Sequence, residues 1–338
     1  MARAVAYRTG GGVEVLEPRL VSLPLPGPHD VRVRVAYSAI NPLDCKERQA
    51  APPGLTTVPH YDGSGWIDVT GSGVTDLSPG DRVWIVLARA YGGGGTAQDY
   101  LVLPRSQVRR LPDGVTFLGA ASAGIPALTA YRCLTVREGA EGALRRGSLA
   151  GLTVLVPGGA GAVGNASVQL AKWAGARVLT TTRGDEQGRL ATLAGADVVV
   201  DRTGPGASDK LASAAPHGVD IVVEVDPAGN ADQAAALCAP GAVVAAYGRG
   251  GAESATVSLR RFMAANVRHQ WVRLVTLPRS WVLAAADGVT DALADGALRS
   301  GADRGLPLHV LPLDAAAEAH ATVEAGRAGK VMLQVSEQ

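Results

Sequence analysis

The sequence predicts an α/β protein of two domains, a β-rich one and one built on a doubly wound parallel sheet. Three observations carry this. The chain has 338 residues, beyond the size at which one core usually keeps growing. Its opening stretch is made of short β-branched runs broken by Pro and Gly, the pattern of strands and turns. Farther on, strand-length apolar runs alternate with Ala/Leu-rich stretches of helical length, as in parallel strands covered on both faces.

In order, the first strands are expected at 13–17 (VEVLE), 30–40 (DVRVRVAYSAI), 65–73 (GWIDVTGSG), 81–88 (DRVWIVLA) and 97–104 (AQDYLVLP). Valines alternate with arginines at 31–35, which gives that strand one buried and one wet face. Segments 24–28 and 92–95 are turns by their Pro and Gly content. Residues 117–134 (FLGAASAGIPALTAYRCL) are helical in pattern, and Pro126 inside them makes two short helices or one broken one.

Apolar runs then recur at 153–156, 176–181, 196–200, 219–225 and 241–248, the strands of the parallel sheet. Residues 308–335 read as strand, helix, strand, with Asp314 as helix N-cap and Gly329 as its stop. They return to the β-rich domain, which is therefore discontinuous. The expected limits are 1–125 with 270–338 for the β-rich domain, and 126–269 for the parallel-sheet domain.

Lys+Arg 32 against Asp+Glu 31 leaves a net charge of +1 without single-sign blocks. Neither nucleic acid nor a membrane surface is implied as a partner. The three cysteines, Cys45, Cys133 and Cys238, form no CxxC pair or His cluster, so neither a disulfide framework nor a structural zinc lobe is expected. The opening MARAVAYRTGG has no signal-peptide core, and no apolar run is long enough to span a bilayer. These features point to a soluble protein of a reducing, cytoplasmic compartment.

The chemistry centres on LTVLVPGGAGAVGNASVQLAKWAGARVLTTTR, residues 152–183. An apolar strand runs into Gly159-Ala160-Gly161-Ala162-Val163-Gly164, then a helix, then a second strand. GxGxxG in this context serves a dinucleotide: one glycine turns the chain, one admits the pyrophosphate, and one lets helix and strand pack closely. The phosphates rest on the free N–H groups of the helix. The second strand ends Thr180-Thr181-Thr182-Arg183. An acid there would accept from a ribose 2′-hydroxyl, whereas hydroxyls and a guanidinium suit a 2′-phosphate. The expected cofactor is NADPH. Asp185 and Glu186 are read as favourable charge at the start of the next helix.

Further motifs fall in a recognisable order: Asn41-Pro42-Leu43-Asp44, Gly63–Gly65, GDRV at 80–83, Thr129-Ala130-Tyr131, the glycine motif, Gly195-Ala196-Asp197, Tyr247-Gly248, and Gly329-Lys330-Val331. With them the chain resembles the zinc-free medium-chain dehydrogenases/reductases of the quinone oxidoreductase, or zeta-crystallin, branch. The resemblance implies a GroES-like β-barrel catalytic domain beside a Rossmann domain. It also implies NADPH as hydride donor to a small-molecule substrate, a quinone, enone or other conjugated carbonyl. A homodimer through the sheet edge is implied too, with the apolar 241–247 strand compatible with that role. Thr129 would lie beside the nicotinamide, and Tyr247, Gly248 and Arg249 near the cofactor.

Zinc-dependent relatives carry Cys where this chain has Asn41, and His-Glu where it has Tyr61-Asp62, so chemistry without a metal is expected. Other departures are Lys46 for a tyrosine beside the nicotinamide, Gln187 for a phosphate-binding lysine, Arg202 for a tyrosine, and His60 for a glycine. Arg183 and Arg202 could form a two-arginine clamp. Asn41, Lys46 and His60 are the candidate catalytic donors to the substrate oxygen. Two alternatives stay open: a biosynthetic enoyl reductase acting on a thioester or polyketide-type intermediate, and an NADPH-binding protein with a structural, regulatory or non-redox role.

Overall fold

The structure is a computed structural model describing residues 1–139 and 143–337. It opens with β1 (Ala2–Ala6) paired antiparallel with β2 (Glu17–Val21). Residues 13–17, expected as a strand, instead begin as a 3₁₀ turn at Val13–Val15. Local hydrogen bonding outcompetes pairing there, since the Glu14 carboxylate accepts from the Gly12 N–H at 2.9 Å.

Next come β3 (Asp30–Ala39), α1 (Pro42–Gln49), β4 (Asp62–Thr70), β5 (Arg82–Ile85), β6 (Tyr100–Pro104) and β7 (Val108–Arg110). The long β3 is the hub, pairing along its length with β4 and through Asp30–Arg34 with β6. Val31, Val33 and Val35 are fully buried, and Arg34 is exposed. Arg32 departs from the expected wet face: it is 8% exposed and bonded to Asp68 at 2.5 Å. Helix α2 (Phe117–Thr135) is broken at Gly124 (φ −8°, ψ −117°), just before Pro126.

The parallel sheet is built from β8 (Thr153–Pro157), α3 (Ala162–Trp173), β9 (Arg177–Thr182), α4 (Gly184–Leu193), β10 (Val198–Asp201), α5 (Ala207–Ala214), β11 (Val219–Glu224), α6 (Pro227–Leu237), β12 (Cys238–Ala246), α7 (Leu259–Ala264), β13 (Arg268–Trp271) and α8 (Arg279–Ala294). Its strand order is β10-β9-β8-β11-β12-β13, every pair parallel. This is the doubly wound order, with its reversal between β8 and β11.

β14 (Leu308–Pro312), α9 (Ala316–Glu324) and β15 (Lys330–Gln334) close the chain, β15 adding antiparallel to β3. Asp314 lies in a 3₁₀ turn and does not cap α9, whose N-cap is Ala315. The helix is stopped by Gly326 (φ +71°), ahead of Gly329.

The chain divides into Met1–Ile125 with Leu308–Gln338, and Pro126–Pro307. The expected boundary at 270 is thus too early. β13 pairs in register with β12, and α8 buries Val282, Ala286, Val289 and Leu293 in the second unit. The sequence RHQW of β13 carries no apolar run because the strand is paired on one side only. β13, not 241–247, is the free edge on that side. Among the described residues no helix is long and apolar enough to cross a membrane.

Candidate functional site

In the second unit, the sequence-predicted cofactor residues around the glycine turn and the ends of β9, β10 and β12 gather at the C-terminal ends of the parallel strands, where open α/β sheets bind ligands. After β8 the chain turns through Gly158 at φ +76°, a conformation that side chains with a Cβ resist. The GxGxxG reading missed this residue, although the doubled glycine at 158–159 signals it. The Gly159 N–H donates to Thr180 Oγ1 at 3.0 Å, tying the turn to β9. A Cβ on Gly164 would lie 2.2 Å from the Gly158 carbonyl oxygen, whereas one on Gly161 would meet nothing nearer than 3.4 Å. Gly161 is the N-cap of α3 and offers no side-chain cap. The first N–H groups of that helix, from Ala162, Val163 and Gly164, and its positive dipole end are therefore suited to an anion. Ala160 is buried against the turn.

At the end of β9, Thr182 is 2% exposed and its Oγ1 has no hydrogen-bond partner. Arg183 is exposed as the N-cap of α4. Gln187 accepts from the Arg183 N–H at 3.0 Å, so it holds the backbone. Arg202 is bound beside this point, its N–H donating to the Thr182 carbonyl at 3.0 Å, and its side chain is exposed. Glu186 pairs with Arg189 on the surface of α4, and so is not committed to a ribose.

The end of β11 adds Glu224, which the sequence reading passed over. It is 1% exposed; its Oε1 accepts from the Asp226 N–H (2.6 Å) and Asn230 Nδ2 (2.8 Å), and its Oε2 lacks a partner. Burial pushes its pKa up. An acid inside the apolar run VDIVVEV was the available signal. The Tyr247 N–H donates to the Glu224 carbonyl at 2.9 Å, Gly248 packs on the Val225 backbone, and Arg249 pairs with Glu253. Thr129, on the second half of α2, is 6% exposed.

The three catalytic candidates lie in the first unit, and two of them are withdrawn into its interior. Asn41 caps α1, and its N–H donates to Asp44 Oδ2 at 2.7 Å. Its Nδ2 donates to Asp62 Oδ2 (2.8 Å) and Asp44 Oδ2 (3.3 Å), while its Oδ1 accepts from Lys330 Nζ (2.5 Å). With both ends of the amide engaged and the residue 3% exposed, Asn41 is not a donor to substrate. Asp44, Asp62 and Lys330 are equally buried, with Lys330 Nζ 3.6 Å from Asp62 Oδ2. Burial, then the neighbouring Asp62, raises the Asp44 pKa to about 7. The positions aligned with zinc ligands therefore hold Asn41, Tyr61 and Asp62. Tyr61 donates to Glu47 at 2.8 Å, and an ammonium bonds Asn41 and faces Asp62. This donor set does not suit zinc.

His60 is also withdrawn. It is fully buried at φ +79°, a left-handed conformation that glycine adopts more readily than histidine. Its Nδ1 lies 2.8 Å from Ser38 Oγ, and its Nε2 lies 2.8 Å from His320 Nε2. Counting protons orders the chain of contacts. Thr96 spends its hydroxyl proton on the Asp62 carbonyl (2.8 Å), so Ser38 must donate to Thr96 (2.6 Å). His60 Nδ1–H then donates to Ser38, and its bare Nε2 accepts from His320 Nε2–H. Cys45 Sγ lies 3.4 Å from His320 Nδ1, and the thiol donates to the His320 carbonyl oxygen at 4.0 Å. Both imidazoles are neutral.

Burial, the largest cause, lowers His60 well below its ordinary value and His320 to about 3. Histidines with depressed folded pKa values stabilise the fold above pH ~6.5 and lose that contribution as acid protonates the unfolded chain. Asp44, raised, acts oppositely: its contribution is full in acid and lost as pH rises through about 7. In a His60→Gly, His320→Leu double variant, the fall of unfolding free energy between pH 5.5 and 4 should be shallower by about 2.7 kcal/mol per pH unit, two protons' worth. Urea melts across that range would measure it; an unchanged slope would mean the imidazoles are charged in the fold. Lys46, exposed on α1, is the candidate left reachable.

Residues 162–286 match the zinc-binding dehydrogenase family and residues 27–113 the alcohol dehydrogenase GroES-like domain. A quinone oxidoreductase of Rattus norvegicus is 29% identical over 98% of both chains. An NADPH-dependent alkenal/one oxidoreductase, chloroplastic, of Arabidopsis thaliana is 33% identical over 72% of this chain and 62% of its own. A solved NAD-dependent alcohol dehydrogenase superposes with a TM-score of 0.84 at 30% identity, covering 99% of this chain and 100% of its own. With a doubly wound sheet, its glycine turn and a GroES-like domain in place, this chain belongs to the medium-chain dehydrogenases/reductases, in their quinone oxidoreductase branch.

Proposed function

We propose that the chain is an NADPH-dependent, metal-independent reductase of quinones, enones or related conjugated carbonyls. The observation that carries this is the uncapped N-terminus of α3 at the glycine turn, with Arg183 and Arg202 exposed at the ends of the two neighbouring strands. The N–H groups of α3 hold the diphosphate, and the two guanidinium groups hold a 2′-phosphate. When bound, the dinucleotide supplies the hydride, and the protein contributes orientation and charge stabilisation. Lys46 is the proposed donor to the substrate oxygen, because Asn41 and His60 are spent on internal bonds. The reading includes a homodimer and a reducing cytoplasm, which suits three free cysteines.

The test is steady-state oxidation of NADPH against a panel of quinones, 2-enones and enoyl thioesters. Turnover with a quinone or enone is expected. Turnover with enoyl thioesters alone would favour a biosynthetic enoyl reductase. Tight NADPH binding with no turnover on any acceptor would overturn the reading in favour of a binding protein.

A further inference from the structure

We infer that Lys330 is a positioning residue for this reaction, acting through Asp62 on the half of α2 that carries Thr129. The inference rests on the reductase reading, and its observations lie in the buried cluster of the first unit. Lys330 Nζ bonds Asn41 Oδ1 at 2.5 Å and faces Asp62 Oδ2 at 3.6 Å. Asn41 Nδ2 donates to the same Asp62 oxygen at 2.8 Å. With Oδ2 held from two sides, Asp62 Oδ1 is aimed at the Ile125 N–H, which donates to it at 2.9 Å.

Ile125 stands at the break in α2. Gly124 leaves the helical conformation there, and Pro126 has no N–H to offer. The Asp62 carboxylate thus caps the start of the second half of α2 from outside, satisfying a free helix N–H and complementing the dipole. Gly124 is needed for this approach, since a Cβ there would lie 2.1 Å from the Asp62 carboxyl carbon. Thr129 follows one turn along the same helix.

Lys330 also reaches the other crossing of the chain. Its backbone lies opposite Leu308 in the β14–β15 register, and Leu308 is the first residue after the second unit. Ile125, where the chain leaves the first unit, is thus bonded to Asp62, and Leu308, where it re-enters, is paired with the backbone of Lys330. A packed apolar side chain could fill the space of Lys330 with no loss of stability. What it could not do is fix the direction of the Asp62 carboxylate.

The test compares Lys330→Met with Val331→Ala, a neighbouring core change that lowers stability without touching the cluster. In Lys330→Met, kcat should fall about 10- to 100-fold. The NADPH dissociation constant and the acceptor KM should stay within about threefold. In Val331→Ala, kcat should hold although the thermal midpoint drops. Equal kcat losses in the two variants, or a Lys330→Met kcat within twofold of the native value, would overturn the inference alone. No turnover by the native chain would overturn the reductase reading and this inference with it. If Lys330→Met does not fold, Asp62→Asn carries the same kinetic test, with about tenfold faster hydrogen exchange expected at the Ile125 amide; protection equal to the native level would count against the cap.

Discussion

Gly161→Val should weaken NADPH binding by at least about 100-fold, some 2.7 kcal/mol, while the thermal midpoint of the unliganded protein stays nearly constant. The two halves of this result have separate causes. Gly161 has φ −75° and ψ 162°, extended backbone that valine adopts without strain. An added Cβ meets nothing nearer than the Gly158 carbonyl oxygen at 3.4 Å. The folded chain therefore tolerates the change, at a capping cost of about 1 kcal/mol or less. What the isopropyl group occupies is the approach to the N-terminus of α3, where the phosphates must come within hydrogen-bonding distance of backbone N–H groups.

Gly164→Ala provides the contrast. Its Cβ would lie 2.2 Å from the Gly158 carbonyl oxygen and 2.8 Å from the Gly159 Cα, so the turn itself must move, and stability should fall together with affinity. Calorimetric titration with NADPH and thermal melts on both variants would separate the effects. Gly161→Val binding within a few-fold of the native protein would place the phosphates elsewhere.

The parts of this molecule that were legible from sequence are those that local repetition controls. The parallel strands announced themselves because burial on both faces demands continuous apolar runs, as at Val198–Asp201 and Val219–Glu224. Strand β13 did not, because an edge strand needs no such run: its Arg268 is exposed and its Trp271 is 62% exposed. The 3₁₀ turn at Val13–Val15 had the alternation of a strand, but the Glu14 side chain satisfied the backbone locally.

The cluster in the first unit was hidden for a different reason. Asn41 and Lys330 are 289 positions apart, and His60 and His320 are 260 apart; no local pattern encodes such contacts. The resemblance marked His60 as a departure from its branch, and Asn41 as the residue standing where zinc-dependent members carry a cysteine. It could not reveal that partners elsewhere in the chain, Lys330 and His320, absorb their hydrogen-bonding capacity. A buried polar residue that looks reactive in sequence is more often satisfied by the fold, and here satisfaction removes two of three candidate donors.

Replacing Arg183 and Arg202 together by alanine should invert the coenzyme preference. The Arg202 N–H is bound to the Thr182 carbonyl at 3.0 Å, and Arg183 follows Thr182 in the chain, so the two backbones are fixed side by side at the ends of adjacent strands. Both side chains are exposed. Hydrogen bonds to a charged group contribute about 1.5–3 kcal/mol each, so losing both should raise the KM for NADPH by about 100-fold or more. The KM for NADH should barely change, because no 2′-phosphate is present to be lost. Of the two acids that follow, Asp185 and Glu186, the second is paired with Arg189, which reduces its repulsion of a phosphate. Single variants should each show part of the effect, and the sensitivity to salt of NADPH binding should decline with each arginine removed. A double variant whose NADPH to NADH preference equals that of the native chain would overturn the two-arginine clamp and leave the hydroxyl of Thr182, buried and without a partner, to recognise the ribose.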